Sequence, residues 1–307
     1  MTSTTPSPVL IVGSMAFDDL TLPTATVTDV VGGAATYAAL ATSLFAPARV
    51  VAVVGTDFPE PVLQDLQHRG IDTAGVCRAQ GRTFRWAGRY SDDLSSRVTL
   101  DTQLNVFADF RPVLPPAYRD SAFLLLANIH PTLQLEVLDQ VTVARLVATD
   151  TMNFWIEGER PALEAVLKRT HTLVINDEEL RQLAEQHNLR KAAAAALKLG
   201  PQRLIVKRGE YGAMLFDEHG IFFTPPYPLD RELDPTGAGD TFAGALLGYL
   251  AQADDLSPRT VRRALLTAAT VASFNVEDIG TRRLQSLTRP EVEHRLGLLE
   301  AITRVDP

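Results

Sequence analysis

Asp234-Pro235-Thr236-Gly237-Ala238-Gly239-Asp240-Thr241-Phe242-Ala243-Gly244 decides the reading of this chain. A turn of small residues runs straight into an apolar helical segment reaching Ala251. A helix start leaves free backbone N–H groups and the positive end of the helix dipole. Glycines let an anion approach that backbone closely. Asp240 puts a carboxylate beside the anion site, in position to take a proton from an attacking hydroxyl. An anion cradle with an adjacent base is what phosphoryl transfer to an alcohol requires. A shorter Gly-Ala-Gly-Asp string would read equally well as a helix cap.

The longer string resembles the C-terminal signature of the PfkB, or ribokinase-like, family of carbohydrate and nucleoside kinases. That pattern is Asp-x-x-Gly-Ala-Gly-Asp-x-Phe, and Asp234, Gly237, Ala238, Gly239, Asp240 and Phe242 meet every fixed position. The resemblance implies a ribokinase-like three-layer α/β/α fold with a mostly parallel central sheet and a small β-sheet lid. It implies one kinase domain over 1–307, with the lid formed by about 15–31 and 82–110. It also implies transfer of the γ-phosphoryl of ATP, with Mg2+, to a hydroxyl of a small sugar or polyol, or of a nucleoside or inositol. Asp240 would be the base, and the N–H groups of Gly237, Ala238 and Gly239 would hold the transferring charge.

Other segments follow in the order this resemblance requires. Val9–Val12 reads as a strand and leads through Gly13 to Asp18, placed to bind a substrate diol, since a carboxylate accepts two hydroxyl hydrogen bonds. Asp19 beside it is either the true ligand or a solvated neighbour. Gly32-Gly33 precedes a helical pattern over Ala34–Phe45 and reads as the backbone turn closing over the substrate, or as a plain strand-to-helix turn. Many sugar and nucleoside kinases of the family carry Asn four positions after the second Gly; this chain has Tyr37. A bulky aromatic with one hydroxyl thus replaces an amide, which leaves the acceptor open. Asn176-Asp177-Glu178-Glu179 matches the family's Asn-x-x-Glu motif, with Asn176 near the nucleotide and Glu179 helping to place magnesium, through water. Its bland alternative is a helix N-terminus with Asn as cap. Lys207 and Gly209, after a strand at Leu204–Val206, are similar to the segment lining the nucleotide phosphates, and Thr236 stands ready to bond a phosphate.

The pattern between these motifs is alternation. Strands are expected at Val50–Val54, Phe123–Ala127, Leu146–Ala148 and Leu173–Ile175. Helices are expected at Pro61–Arg69, Leu133–Gln140, Pro161–Arg169 and Glu178–Leu199, the last broken near Asn188. Such alternation implies a parallel sheet covered on both faces. From Arg82 to Phe110 the period switches to two. Phe84, Trp86 and Tyr90 fall on one face, and Thr83, Arg85 and Arg89 on the other. The reading there is an inserted β-hairpin forming a small sheet with the extended segment around Leu20–Val31. Such a sheet would serve as a lid or as a homodimer contact.

Composition bounds the partners. With 29 lysines and arginines against 37 acids the formal charge is −8, which disfavours nucleic acid and anionic membranes. Arg82, Arg85, Arg89 and Arg97 are interleaved with acids and read as a solvated or substrate-facing ribbon. One cysteine, Cys77, excludes an internal disulfide and a Cys-based zinc site, so a reducing, cytoplasmic setting is expected. Met1–Pro8 has no basic residue and no apolar run, unlike a leader peptide. No protein-kinase signature, Walker loop, dinucleotide fingerprint or zinc motif is present. A ligand sensor on the same fold would keep Asp18 and Gly32-Gly33 without needing the base; the intact Gly237–Asp240 string speaks against it. A donor other than ATP stays open.

Overall fold

The computed structural model describes residues 6–302 and 304. The reading of Met1–Thr5 as no leader, and the ends of the 1–307 domain reading, lie outside the described residues. The strands in chain order are β1 (Val9–Val12), β2 (Ala16–Thr21), β3 (Thr26–Gly32), β4 (Ala48–Val54), β5 (Ile71–Arg78), β6 (Phe84–Tyr90), β7 (Arg97–Gln103) and β8 (Phe123–Leu126). They continue with β9 (Leu146–Asp150), β10 (Thr172–Asn176), β11 (Arg203–Lys207), β12 (Ala213–Asp217) and β13 (Gly220–Thr224). Nine of them form one sheet in the order β13-β12-β11-β10-β9-β8-β1-β4-β5, and four form a small sheet in the order β3-β2-β6-β7.

The large sheet is parallel from β5 through to β11, and β12 and β13 close its other edge as an antiparallel hairpin. Alternate residues of each strand go to opposite faces. Val9 and Ile11 of β1 join the core under the helices Ala34–Ser43, Ala238–Ala253 and Pro258–Asn275. Leu10 and Val12 join a second core with the helix Pro131–Leu138. Leu173, Ile175, Leu204 and Val206 meet the helices Arg160–Leu167, Asp177–Ala184 and Leu189–Leu197. This is the expected three-layer α/β/α sandwich; each fully buried Leu, Ile or Val contributes roughly 1.5–3 kcal/mol.

The expected break near Asn188 divides Glu178–Leu199 into two helices. Glu185 takes a left-handed conformation (φ 53°) that ends the first, and the Asn188 side chain accepts from Lys191 N to cap the second. The small sheet carries the expected hairpin, but β7 ends at Gln103 and a short 3-10 helix, Asn105–Asp109, follows. Its pairing is mixed: β2 with β3 and β6 with β7 are antiparallel, and β2 with β6 is parallel. The aromatic side chains of β6 pack. Tyr90 is buried with Leu20 and Leu22, Trp86 lies against that cluster, and Phe84 stacks 5.4 Å from Phe107.

Candidate active site

Two glycine-led helices bring the site together. Helix Ala34–Ser43 starts after Gly33, whose φ of 92° suits glycine, and a Cβ there would lie 2.5 Å from the Ser14 carbonyl oxygen. Helix Ala238–Ala253 starts after Gly237, also left-handed at φ 73°. Small residues let the two helices touch along their length. A Cβ on Gly244 would sit 2.2 Å from Ala38 O, and Thr42 Oγ1 donates to Gly244 O at 2.9 Å. Their starts meet where the Tyr37 ring lies against Gly237; a Cβ on that glycine would be 2.4 Å from three ring atoms.

The loop before the second helix is clamped from below. Asp234 is fully buried; its Oδ1 accepts from Thr236 N at 2.9 Å and its Oδ2 from Gly280 N at 2.8 Å. Asn275 Nδ2 donates to Thr236 O at 2.8 Å. Burial holds the Asp234 pKa above the usual carboxylate value against those hydrogen bonds. Ala238 N donates to Pro235 O at 3.2 Å. The N–H groups of Gly237 and Gly239 have no backbone acceptor among the described residues. The Thr236 hydroxyl is engaged: it lies 2.9 Å from the Tyr90 hydroxyl and so ties the small sheet to this loop.

Asp240 stands in the first turn of the helix. Burial, then the nearby Asp150 carboxylate, raise its pKa to about 7, opposed by Lys207 and Arg97. Asp18, on β2, is raised to about 8 by burial and then by Asp234, Asp240 and Asp19, with Arg97 opposing. Gly32 must lack a side chain here, because a Cβ would fall 1.9 Å from Asp18 Oδ2. The two adjacent acids separate. Asp18 is buried beside the cradle, whereas both oxygens of Asp19 accept from Arg85 Nη1 at 2.8 Å and Arg85 also pairs with Asp29. Tyr37 is buried, its hydroxyl has no hydrogen-bond partner, and burial followed by Asp18 and Asp234 pushes its pKa well above the usual phenol value.

The neighbouring strand ends supply the second half of the site. Asp150, Asn176 and Lys207 are the last residues of β9, β10 and β11, and parallel pairing brings those ends side by side. Lys207 Nζ donates to Asp150 Oδ2 at 3.0 Å. Burial opposes the ammonium charge, yet Asp150, Glu179 and Asp240 hold the Lys207 pKa above its ordinary value. Lys207 also reaches the cradle: a Cβ on Gly239 would lie 2.9 Å from Nζ. Asn176 and Glu179 form a capping box, with Asn176 Oδ1 accepting from Glu179 N at 2.7 Å and Glu179 Oε2 from Asn176 N at 3.1 Å. Glu179 is raised to about 7 by burial and by Asp150, with Lys207 pulling the other way. Gly209 is exposed at φ 53°, and no atom lies within 4 Å of a Cβ placed there.

The structure thus brings Asp18, Gly32, Gly33, Gly237, Ala238, Gly239, Asp240, Lys207 and Glu179 into one region, with Asn176 capping the helix of Glu179; Gly209 is exposed, two residues after Lys207, with no contact to them shown. Asp150 and Tyr90 belong to the same region and escape a reading of the sequence. Asp150 lies two residues past the apolar run Leu146–Ala148, and only the parallel register sets it beside Lys207. Tyr90 reads as one aromatic of a hairpin face. Chemically, the region offers free N–H groups and an ammonium for an anion, a carboxylate of raised basicity and a second buried carboxylate for hydroxyls.

Comparison with known proteins bears on the family and the fold. The chain is similar to a cytidine kinase of Thermococcus kodakarensis, 28% identical over 248 residues, covering 78% of this chain and 88% of that protein. It is similar to an inositol 3-kinase of Oryza sativa, 25% identical over 294 residues, covering 91% and 72%. An Arabidopsis thaliana ribokinase complexed with ribose and ATP has the same fold, with a TM-score of 0.77 at 21% identity over 95% of this chain and 99% of that one. The profile of the pfkB family carbohydrate kinases matches residues 9–287, and the chain belongs to that family of phosphotransferases.

Proposed function

We propose that this kinase moves the γ-phosphoryl of ATP to a hydroxyl of a small sugar, polyol or nucleoside, with Asp240 as the base. The observation carrying this reading is the place of Asp240 in the first turn of the glycine-led cradle helix, whose Gly239 adjoins Lys207 Nζ; burial, which raises the Asp240 pKa, supports it. An ordinary aspartate, at about 3.9, is a weak base; one near 7 suits proton acceptance at neutral pH. Asp18 and the Gly32-Gly33 turn would hold and orient the acceptor hydroxyls. The acceptor oxygen attacks the γ-phosphorus, its proton passes to Asp240, and ADP leaves with the bridging oxygen. The Gly237 and Gly239 N–H groups would carry charge on the phosphoryl oxygens, each well-placed donor being worth about 3 kcal/mol. The Ala238 N–H would join them on release from Pro235. Lys207, Asn176, Gly209 and Thr236 would line the donor phosphates, Thr236 once its hydroxyl turns from Tyr90.

Among the described residues no group of three or more metal-ligating side chains is present. That suits Mg2+, which keeps much of its water and takes one or two carboxylates plus substrate phosphates. Asp150 and Glu179 fit as those carboxylates, Glu179 acting through water. Bound there, Mg2+ would neutralise phosphate charge.

The domain would be single, with the small sheet as a lid over the site that excludes water. Val98, Leu100 and Leu104 are exposed on or beside β7, which supports the same sheet as a homodimer contact. No helix among the described residues is long and apolar enough to cross a membrane, and a cytoplasmic setting fits the free Cys77. The test is ADP release with ATP and magnesium across a panel of pentoses, hexoses, inositols and nucleosides. Stimulation by one class supports the reading and names the acceptor class; no stimulation by any member counts against it.

A further inference from the structure

The acids of the site face two cations, on different sheets. Lys207 comes from the large sheet and is already paired with Asp150. The other is Arg97, the first residue of β7 on the small sheet. It lies opposite Tyr90 in the β6–β7 register, and its guanidinium stands over the Trp86 ring, 5.8 Å from the centroid. Arg97 is exposed and its side chain hydrogen-bonds the Tyr90 hydroxyl; among the described residues it forms no ion pair, unlike Arg85 of the same sheet, which is held by Asp19 and Asp29. Its charge nevertheless acts on Asp18, Asp240, Glu179 and the Tyr90 hydroxyl. Those groups sit on β2, the cradle helix, the Asn176–Glu179 helix start and β6, and Tyr90, opposite Arg97, meets Thr236 just before the cradle, so Arg97 stands where the small sheet meets that loop.

We propose that Arg97 is a catalytic residue that binds the transferring phosphoryl group from the small sheet while Lys207 binds it from the large one. This rests on the reading of the site as a phosphoryl-transfer centre. A guanidinium presents a planar fork matched to two phosphoryl oxygens, and the Trp86 ring, 5.8 Å away, supports the side chain from one face. Asp18 and Asp240 must stay free for the acceptor, which leaves the phosphoryl group as the anion for the cation beside them. Arg97 makes and breaks no covalent bond. It offsets charge while the acceptor–phosphorus bond forms, the bridging bond to ADP breaks and the acceptor proton goes to Asp240. Tyr90 of β6 pairs with Arg97 of β7, and its hydroxyl lies 2.9 Å from the Thr236 hydroxyl, so the position of the small sheet sets how far the fork stands from the cradle loop.

The test is calorimetric titration of wild type, Arg97→Met and Arg97→Lys with magnesium and either ADP or the imido analogue of ATP. Arg97→Met should weaken the triphosphate analogue about tenfold or more, as loss of a hydrogen bond to a charged group does, and leave ADP within about twofold. Arg97→Lys should fall between. Equal weakening of both nucleotides, or of neither, overturns the proposal and leaves Arg97 as a packing residue over Trp86. Wild-type protein that binds neither nucleotide overturns the ATP reading of the site, and this inference with it.

Discussion

The Tyr37 ring lies against Gly237, so close that a Cβ on the glycine would meet three ring atoms at 2.4 Å. One residue follows the substrate-side turn and the other opens the phosphate-side helix, and their contact sets the spacing between the two halves of the site. Gly237 also holds φ 73°, which costs a residue with a Cβ roughly 1–2 kcal/mol before any clash. Gly237→Ala is therefore expected to lower the melting temperature and cut turnover at least tenfold. Tyr37→Phe keeps the ring and removes a buried hydroxyl without a partner; denaturant unfolding should show unchanged stability or a gain of about 1 kcal/mol.

The basicity of Asp240 makes a pH prediction. A base must be ionised to work, and Asp240 is raised to about 7. The ratio kcat/KM should fall on the acid side of an apparent pKa near 7, about tenfold per pH unit below it. An acid limb near 4, the range of an ordinary aspartate, would contradict the raised basicity.

Asp18 trades stability for function. Burial and the neighbouring acids push its folded pKa up to about 8, well above the ordinary carboxylate value of about 3.9, so between those values the folded state binds more protons than the unfolded one. Stability from this group is present at low pH and is lost as pH rises from about 4 to 8. Asp18→Asn removes that dependence. It should melt several degrees above wild type at pH 8, with little difference near pH 4, while losing acceptor-dependent turnover. Equal shifts at both pH values would contradict the assignment.

Lys207 and Asp150 form a pair whose members should not be removed singly. Lys207→Met leaves a buried carboxylate unpaired, which typically costs about 3–5 kcal/mol when burial is complete. The Lys207→Met, Asp150→Asn double variant should recover most of that stability in urea unfolding. Nucleotide affinity, measured beside it, should stay low in both. Recovery of affinity in the double variant would remove Lys207 from the donor site.

What the sequence shows and what it hides follow from the range of the interactions. Strands that are continuous apolar runs, such as Val9–Val12 and Phe123–Leu126, are legible because both faces are buried. Strand β5 is not: Ile71–Arg78 mixes Asp, Thr and Gly at an edge of the sheet, where one flank needs no partner. The hairpin of β12 and β13 is visible only through the Lys207–Gly212 turn before it. Within the site, the cradle, Asp18 and the Gly32-Gly33 turn are local motifs whose backbone demands show in residue type. Asp150 needs the register of β9 with β10 and of β10 with β11, and the Tyr90–Thr236 contact joins residues 146 positions apart. Neither leaves a local pattern. The capping box of Asn176 and Glu179 bears out the structural reading of that motif and leaves the Asn176 amide nitrogen and Glu179 Oε1 outside the cap.

The most direct measurement compares acceptor-stimulated ADP release by wild type and Asp240→Asn, with nucleotide binding measured on the same preparations. The account predicts that turnover falls by about 10³-fold or more, the scale of losing general-base and positioning roles together, while ATP affinity stays within a few-fold. Near-normal turnover in Asp240→Asn would contradict it and move the base elsewhere in the site.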